Sequence, residues 1–303
     1  MLTVTKALTV TKVTDSPVPQ PGELRYEINA AKLARGGEIM FQLPAHSTIM
    51  LKQGELPITT NLDIEGPGAD DLTISGNDAS RIFDISTAGT VVTIADVTIA
   101  NGLATGSSPH GSEGGGIFDV GGNLTVQACM LTNNEALGSD DSTAGANGSD
   151  ALGGGIYYAG SGALTVRQSA FTTNVAQGGN GSSGSLGLPG TDGGSGGNGG
   201  QGLGGGIYNI SDHLTVDHCT FTNNQANGGG GGGGGSANGG GGGGGGNGGN
   251  ASGGAIANSG ASFSDNQGTF TNNQANGGNG GGGGGGGGGV TGGSGIEPDA
   301  APF

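Results

Sequence analysis

Reactive side chains are sparse in this chain, so the places where they gather carry most of the chemical information. Asp84 and Asp119 each follow an isoleucine by two residues, Ile82 and Ile117, in a pattern that recurs along the sequence. Two carboxylates in equivalent places on neighbouring elements are what glycoside hydrolysis requires, one as acid and the other as base or nucleophile. Later copies of the pattern carry Tyr158, Asn209 and Asn258 there, so the carboxylate does not recur. Asp212, His213, Asp217 and His218 form a second cluster with the donor types a transition metal accepts. They flank the alternating Leu214-Thr215-Val216, where solvated strand residues are the simpler reading. Asp140, Asp141 and Asp150 offer hard oxygen ligands, but their spacing matches neither an EF-hand loop nor a calcium-binding nonapeptide. The reading is a non-enzymatic protein with no catalytic residue, no cofactor and no metal site.

The elements that carry these residues repeat. Leu214–Ala226, LTVDHCTFTNNQA, recurs without gaps at Val92–Ala104, Leu124–Ala136, Leu164–Ala176 and Phe263–Ala275. Leu62–Ala79 fits with an insertion around Pro67–Asp70. One column of the aligned copies reads Leu62, Val92, Leu124, Leu164, Leu214, Phe263; a second reads Ile74, Ile99, Leu131, Phe171, Phe221, Phe270. Both are apolar throughout, and Leu-Thr-Val alternates with the period of a strand that has one face in a core. A further strand is expected at Ile82, Ile117, Ile156, Ile207 and Ile256, introduced in most copies by Gly-Gly-Gly or Gly-Gly-Ala. Three short strands per repeat, stacked copy on copy, give an all-β fold: a single-stranded right-handed parallel β-helix. Asn134, Asn174, Asn224 and Asn273 share one place in the unit, with Gly102 in the earlier copy. Buried amides so arranged can bond up and down the stack as a structural ladder.

A single domain over 1–303 is expected. Residues 1–36 supply a strand and a capping helix, with Leu24, Ile28 and Ala31 on one helical face; 37–104 form glycine-poor turns; 105–275 form turns with glycine-rich insertions; 276–303 form a glycine-rich tail. Every long insertion leaves after the Asn-x-Ala that ends a unit, so the loops emerge from one corner and lie side by side. Tracts such as Gly228–Gly235 and Gly239–Gly246 read either as flexible coil or as extended three-residue-per-turn helices that pack through their backbones. Outward threonines make two columns: Thr93, Thr125, Thr165, Thr215, and Thr132, Thr172, Thr222, Thr271. Such regular columns bring ice binding into view, although solvent-facing threonine is common in strands.

Composition narrows the class. With 77 glycines and no tryptophan in 303 residues, a broad globular core is not available, whereas a β-helix needs only a narrow internal stack. Eight Lys and Arg against 24 Asp and Glu give a net charge of −16, too few cations to neutralise nucleic-acid phosphates or bind an anionic membrane. Cys129 and Cys219 share one column, two copies apart. At about 4.8 Å per turn their Cα atoms lie roughly 9.6 Å apart, beyond the reach of about 7 Å for a disulfide, so free buried thiols are expected. No stretch is apolar enough to span a membrane, and MLTVTKALTVTK lacks the apolar core of a secretion signal. A leader removed, or a start further upstream, is the expectation for an exported protein.

Gly253-Gly254-Ala255-Ile256 and its Gly-Gly-Gly-Ile variants at 114–117, 153–156 and 204–207 accompany Phe171-Thr-Thr-Asn174, Phe221-Thr-Asn-Asn224 and Phe270-Thr-Asn-Asn273. These motifs resemble the GGAI and FxxN repeats of the chlamydial polymorphic outer-membrane proteins. Residues 9–104, with Pro67–Asp70 and Leu72–Gly76, look like the N-terminal part of related bacterial extracellular repeat proteins. The resemblance implies a secreted or surface-displayed β-helix, often adhesive; no C-terminal membrane barrel accompanies it. β-Helical polysaccharide lyases and hydrolases are the competing class, and the Arg or Lys and the calcium-binding Asp set of the former have no convincing counterpart here. The function expected is therefore that of an extracellular or cell-surface structural or adhesive protein, its glycine loops touching an extracellular partner or another copy of itself. Filament growth by end-to-end pairing of turns, polysaccharide cleavage and ice binding are the alternatives.

Overall fold

The computed structural model describes residues 7–108 and 110–286. The proposed first strand over Leu2–Lys6 and the tail from residue 287 lie outside this range. Within it the chain is nearly all β, with five parallel sheets of eight, seven, six, five and three strands and a single helix. It is a parallel β-helix.

The repeat columns are the registers of the sheets. Leu124 pairs with Val92 and Leu164, Leu164 with Leu214, and Leu214 with Phe263; Leu131, Phe171, Phe221 and Phe270 follow one another in a second sheet. All but the last residue of each column are buried. Two details differ from the sequence reading. A complete turn holds more than three strands: Ile156–Tyr158, Ala163–Arg167, Ala170–Thr172, Val175–Gln177 and, beyond the loop, Gly202–Leu203. The unit is cut by sharp corners at left-handed residues, Gln168 (φ 50°) and Thr173 (φ 54°), repeated at His218 and Asn223, and the second corner is the extra break. Such corners cost Asn little and Gln, His or Thr more. The second difference is a shift by one residue: Ile117 pairs with Phe83, not Ile82, and Asp84 lies opposite Phe118.

The Gly-Gly-Gly-Ile motif has a clear cause. Gly153 sits at φ 67°, and a Cβ on Gly154 would come within 2.4 Å of the Val175 carbonyl oxygen. The backbone turns and meets its neighbour too closely there for any side chain.

Helix α1 (Leu24–Ala34) closes the first turn, burying Leu24, Ile28 and Ala31 against the strands at Ala7–Val10, Gly37–Phe41 and Leu56–Pro57. Polar locks hold it in place. Arg25 meets Asp15 at 2.7 Å and donates to the Glu55 and Gly54 carbonyls. Burial opposes ionisation of Glu23, but hydrogen bonds from the Ser16 and Thr14 hydroxyls and the Gln20 N–H outweigh it and hold the carboxyl at about 2.

Candidate functional site

Three successive loops leave the stack between the strands ending at Leu137, Gln177 and Asn227 and the next turn, and the described part of a fourth segment follows Asn276. From residue 178 onward they form hairpins of extended helices: outgoing segments 178–187, 228–237 and 277–286, and returning segments 193–201 and 241–250. Their bonds repeat every third residue. Gly229, Gly232 and Gly235 donate to the carbonyls of Gly200, Gly197 and Gly194 at 2.8 Å. Gly278, Gly281 and Gly284 donate at 2.8 Å to Gly249, Gly246 and Gly243. Equivalent segments of successive turns are also joined, Gly181 to Gly230 and Gly184 to Gly233, both at 2.8 Å. A period of three with main-chain bonds to several neighbours is the packing open to three-residue-per-turn helices without side chains. The loops form a slab, and the flexible-coil reading gives way to the packed one.

In the segment 228–235 glycine is required at two of each three positions. A Cβ on Gly229, Gly232 or Gly235 would lie 1.9 to 2.0 Å from the Gly179, Ser182 or Ser185 carbonyl. The third position faces out: Gly244 and Gly282 have nothing within 4 Å of an added Cβ. Most side chains that occur fall there, while Ser182 and Ser185 stand one turn below at the places of Gly232 and Gly235. Asn147, Asn198 and Asn247 line one ridge of the returning segments, beside Asp150, Gln201 and Asn250, while Asn180, Ser183, Ser236 and Asn279 line the outgoing ones. The main-chain N–H of the outward position has no carbonyl neighbour, and the side chain one turn below accepts it: Asn198 N–H to Asn147 Oδ1 at 2.7 Å, Asn247 N–H to Asn198 Oδ1 at 2.9 Å, and Gly230 N–H to Asn180 Oδ1 at 2.8 Å. Asn147 and Asn198 spend their oxygen on the slab and keep their amide N–H donors for the outside, while Asn180 Nδ2 also reaches Asp140 at 3.4 Å. These ridge residues were not singled out from sequence, yet the non-glycines falling every third residue were a legible sign.

The other candidates are placed as follows. Asn134, Asn174 and Asn224 are fully buried; Asn174 Oδ1 accepts both N–H and Nδ2–H of Asn134, and Asn174 Nδ2 donates to the Leu131 carbonyl. The ladder runs on through Asn224 to Asn273. Phe171 and Phe221 stack at 4.7 Å, Phe221 and Phe270 at 5.1 Å. Cys129 and Cys219 are free and buried, and burial pushes the Cys129 thiol up to about 12. His218 bonds Asp217, while His213 bonds Ser262; among the described residues no three such side chains converge as metal ligands. Asp140 instead accepts the Asn180 N–H and Asp150 the Gln201 N–H.

Asp84 and Asp119 are not equivalent. Asp119 pairs with Ile85, and Asp84 with Phe118, so with alternating side chains the two carboxylates lie on opposite faces of the sheet. They cannot flank one substrate bond. Burial pushes Asp119 up to about 7, its neighbour Asp84 adding to the effect against the Gly121 and Gly122 N–H groups. Asp84 reaches His110 at 3.4 Å, and His110 stacks on Phe118 at 4.2 Å. Arg81, fully buried, bonds Glu55 at 2.5 Å and the Glu113 and Gly114 carbonyls, with its guanidinium over Phe118. Nothing in spacing alone marked this cluster. It pins residues 110–114 to the stack, and the Arg81 donors are occupied in doing so.

Comparison with known proteins finds no match to any protein family, to any curated protein or to any solved structure. Among the described residues no helix is long and apolar enough to cross a membrane.

Proposed function

We propose that this protein is a non-enzymatic, extracellular structural or adhesive β-helix whose glycine slab is its contact surface. One observation carries the reading: the slab is ordered by its own backbone and carries repeated amide side chains, Asn147, Asn198 and Asn247, along one outward ridge. Ordered, closely spaced neutral donors bind without the entropy cost of arranging a flexible loop. The absence of Lys and Arg after Arg167 directs such a surface away from polyanions. Its chemistry suits hydroxyl-rich neutral polymers of a cell surface or matrix, met by hydrogen bonding and shape.

The test is retention of the purified protein on a panel of insoluble neutral polysaccharides. The double variant Ser195→Glu/Gly244→Glu alters the exposed ridge only, because Ser195 is exposed and Gly244 is open to a side chain. Wild type is expected to be retained, with loss of about tenfold or more in affinity in the variant. No retention by wild type, or equal retention of the variant, would overturn the reading.

A further inference from the structure

The last described turn differs from every earlier one. Among the described residues the strands at Ser262–Asn266, Thr269–Thr271 and Gln274–Asn276 are the outermost members of their sheets. Phe263 and Phe270 are each 46% exposed, whereas Leu214 and Phe221 below them are buried. They line an open groove of about 400 Å³ with Gly254, Ile256, Asn273 and Ala275. The asparagine ladder also stops here: Asn273 Oδ1 accepts from Asn224, but its own N–H meets no further amide oxygen among the described residues. An edge that is both apolar and unpaired is a template for another chain.

Charge decides which chain fits. The protein carries −16 overall, yet from Cys219 to Gly286 the sole charged side chain is Asp265. Two copies that repel elsewhere meet least repulsion at this end. The opposite end is not complementary, since α1 covers the first turn and is locked there by Arg25 and Asp15. Among the described residues head-to-tail growth therefore lacks a receiving face, and a contact made by one kind of end alone closes after two copies.

We propose that the protein pairs tail to tail with a second copy of itself about a two-fold axis. The five-residue strand Ser262–Asn266 meets its counterpart antiparallel, and the phenylalanines of both copies close over the two exposed grooves. Asp265 is the one group opposing closure. It occupies the inward column of Val126, Val166 and Val216, where a carboxylate has to be desolvated as the pair forms.

Sedimentation of the full chain over a concentration series tests this. Wild type is expected to reach twice its 28.7 kDa. Phe270→Asp should raise the dissociation constant about tenfold or more, and Asp265→Val should lower it by a similar factor. The opposite signs separate pairing from general instability, and circular dichroism confirms that each variant folds. Three outcomes overturn the proposal: a wild-type monomer at every concentration, open-ended polymers, or pairing indifferent to both substitutions. A monomer that pairs only after residues 287–303 are deleted would likewise overturn it, assigning the groove to the chain's own tail.

Discussion

The later turns of this molecule are held in two ways, by side chains within the β-helix and by their absence in the slab. In the core, Phe171 and Phe221 exclude water by filling space and Asn174 and Asn224 satisfy the backbone beside them. In the slab, backbones approach until a Cβ at the inward positions would collide, and main-chain bonds such as Gly232 to Gly197 at 2.8 Å take over. Both share one stacking repeat. The difference shows that close packing needs complementary surfaces rather than apolar ones, and that a chain of very low side-chain content can still be ordered if a prior scaffold sets its register. Ordering glycine costs more backbone entropy than any other residue, and the β-helix meets part of that cost by fixing both ends of each loop.

The largest effect should come from the core. Phe221→Ala removes a fully buried ring between two others, and thermal or urea unfolding should register a loss of about 3–5 kcal/mol. A loss under 1 kcal/mol would mean that the column is not the main support of these turns.

Ionising a core position should rank next. Asp119 rises from 3.8 to about 7 on folding, chiefly through burial. Its folded pKa lies above the unfolded one, so the folded state holds a proton that the unfolded state has released. Stability should therefore fall as pH rises through this window, by a few kcal/mol at order of magnitude. Asp119→Asn should flatten that part of the pH profile and stabilise the protein at neutral pH.

The ladder comes third. Asn224→Ala leaves the Asn174 N–H and the Phe171 carbonyl without their buried partner, and about 2–3 kcal/mol should be lost.

The slab gives the smallest but sharpest contrast. Gly232→Ala forces a Cβ to within 2.0 Å of the Ser182 carbonyl, whereas at the adjacent Gly233 the nearest atom is 3.5 Å away. The first should cost about 1–3 kcal/mol and the second should be neutral or stabilising by about 0.4–1 kcal/mol. Amide exchange across residues 228–250 reads both. Uniformly fast exchange in wild type, or equal behaviour of the two variants, would erase the distinction between core and slab.

How far the sequence could be read follows the same division. The apolar columns, the asparagine ladder and the capping helix were legible because each is a repeated side-chain choice that a stacked strand imposes. The corners at Asn133, Thr173 and Asn223, in left-handed conformation at φ 52°, 54° and 56°, do not read as strand breaks in a run of alternating residues, so the short strands after them merge with those before. Asp84 falls one residue out because Ile82 and Phe83 are both apolar and only the pairing shows that Phe83 meets Ile117. The Arg81 cluster was hidden because its partners come from residues 26 and more positions away, each appearing once.

By itself, the sequence determined the turn and its period, which residues enter the core, and that the thiols of Cys129 and Cys219 stay apart. Those features depend on local alternation and on a fixed distance between copies. Only the tertiary structure decided that the glycine tracts pack as a slab, that Asn147, Asn198 and Asn247 share a ridge, and that Asp84 and Asp119 face away from each other. A glycine has no side chain through which sequence could announce its neighbours. Its contacts exist only once parallel turns bring one backbone beside the next.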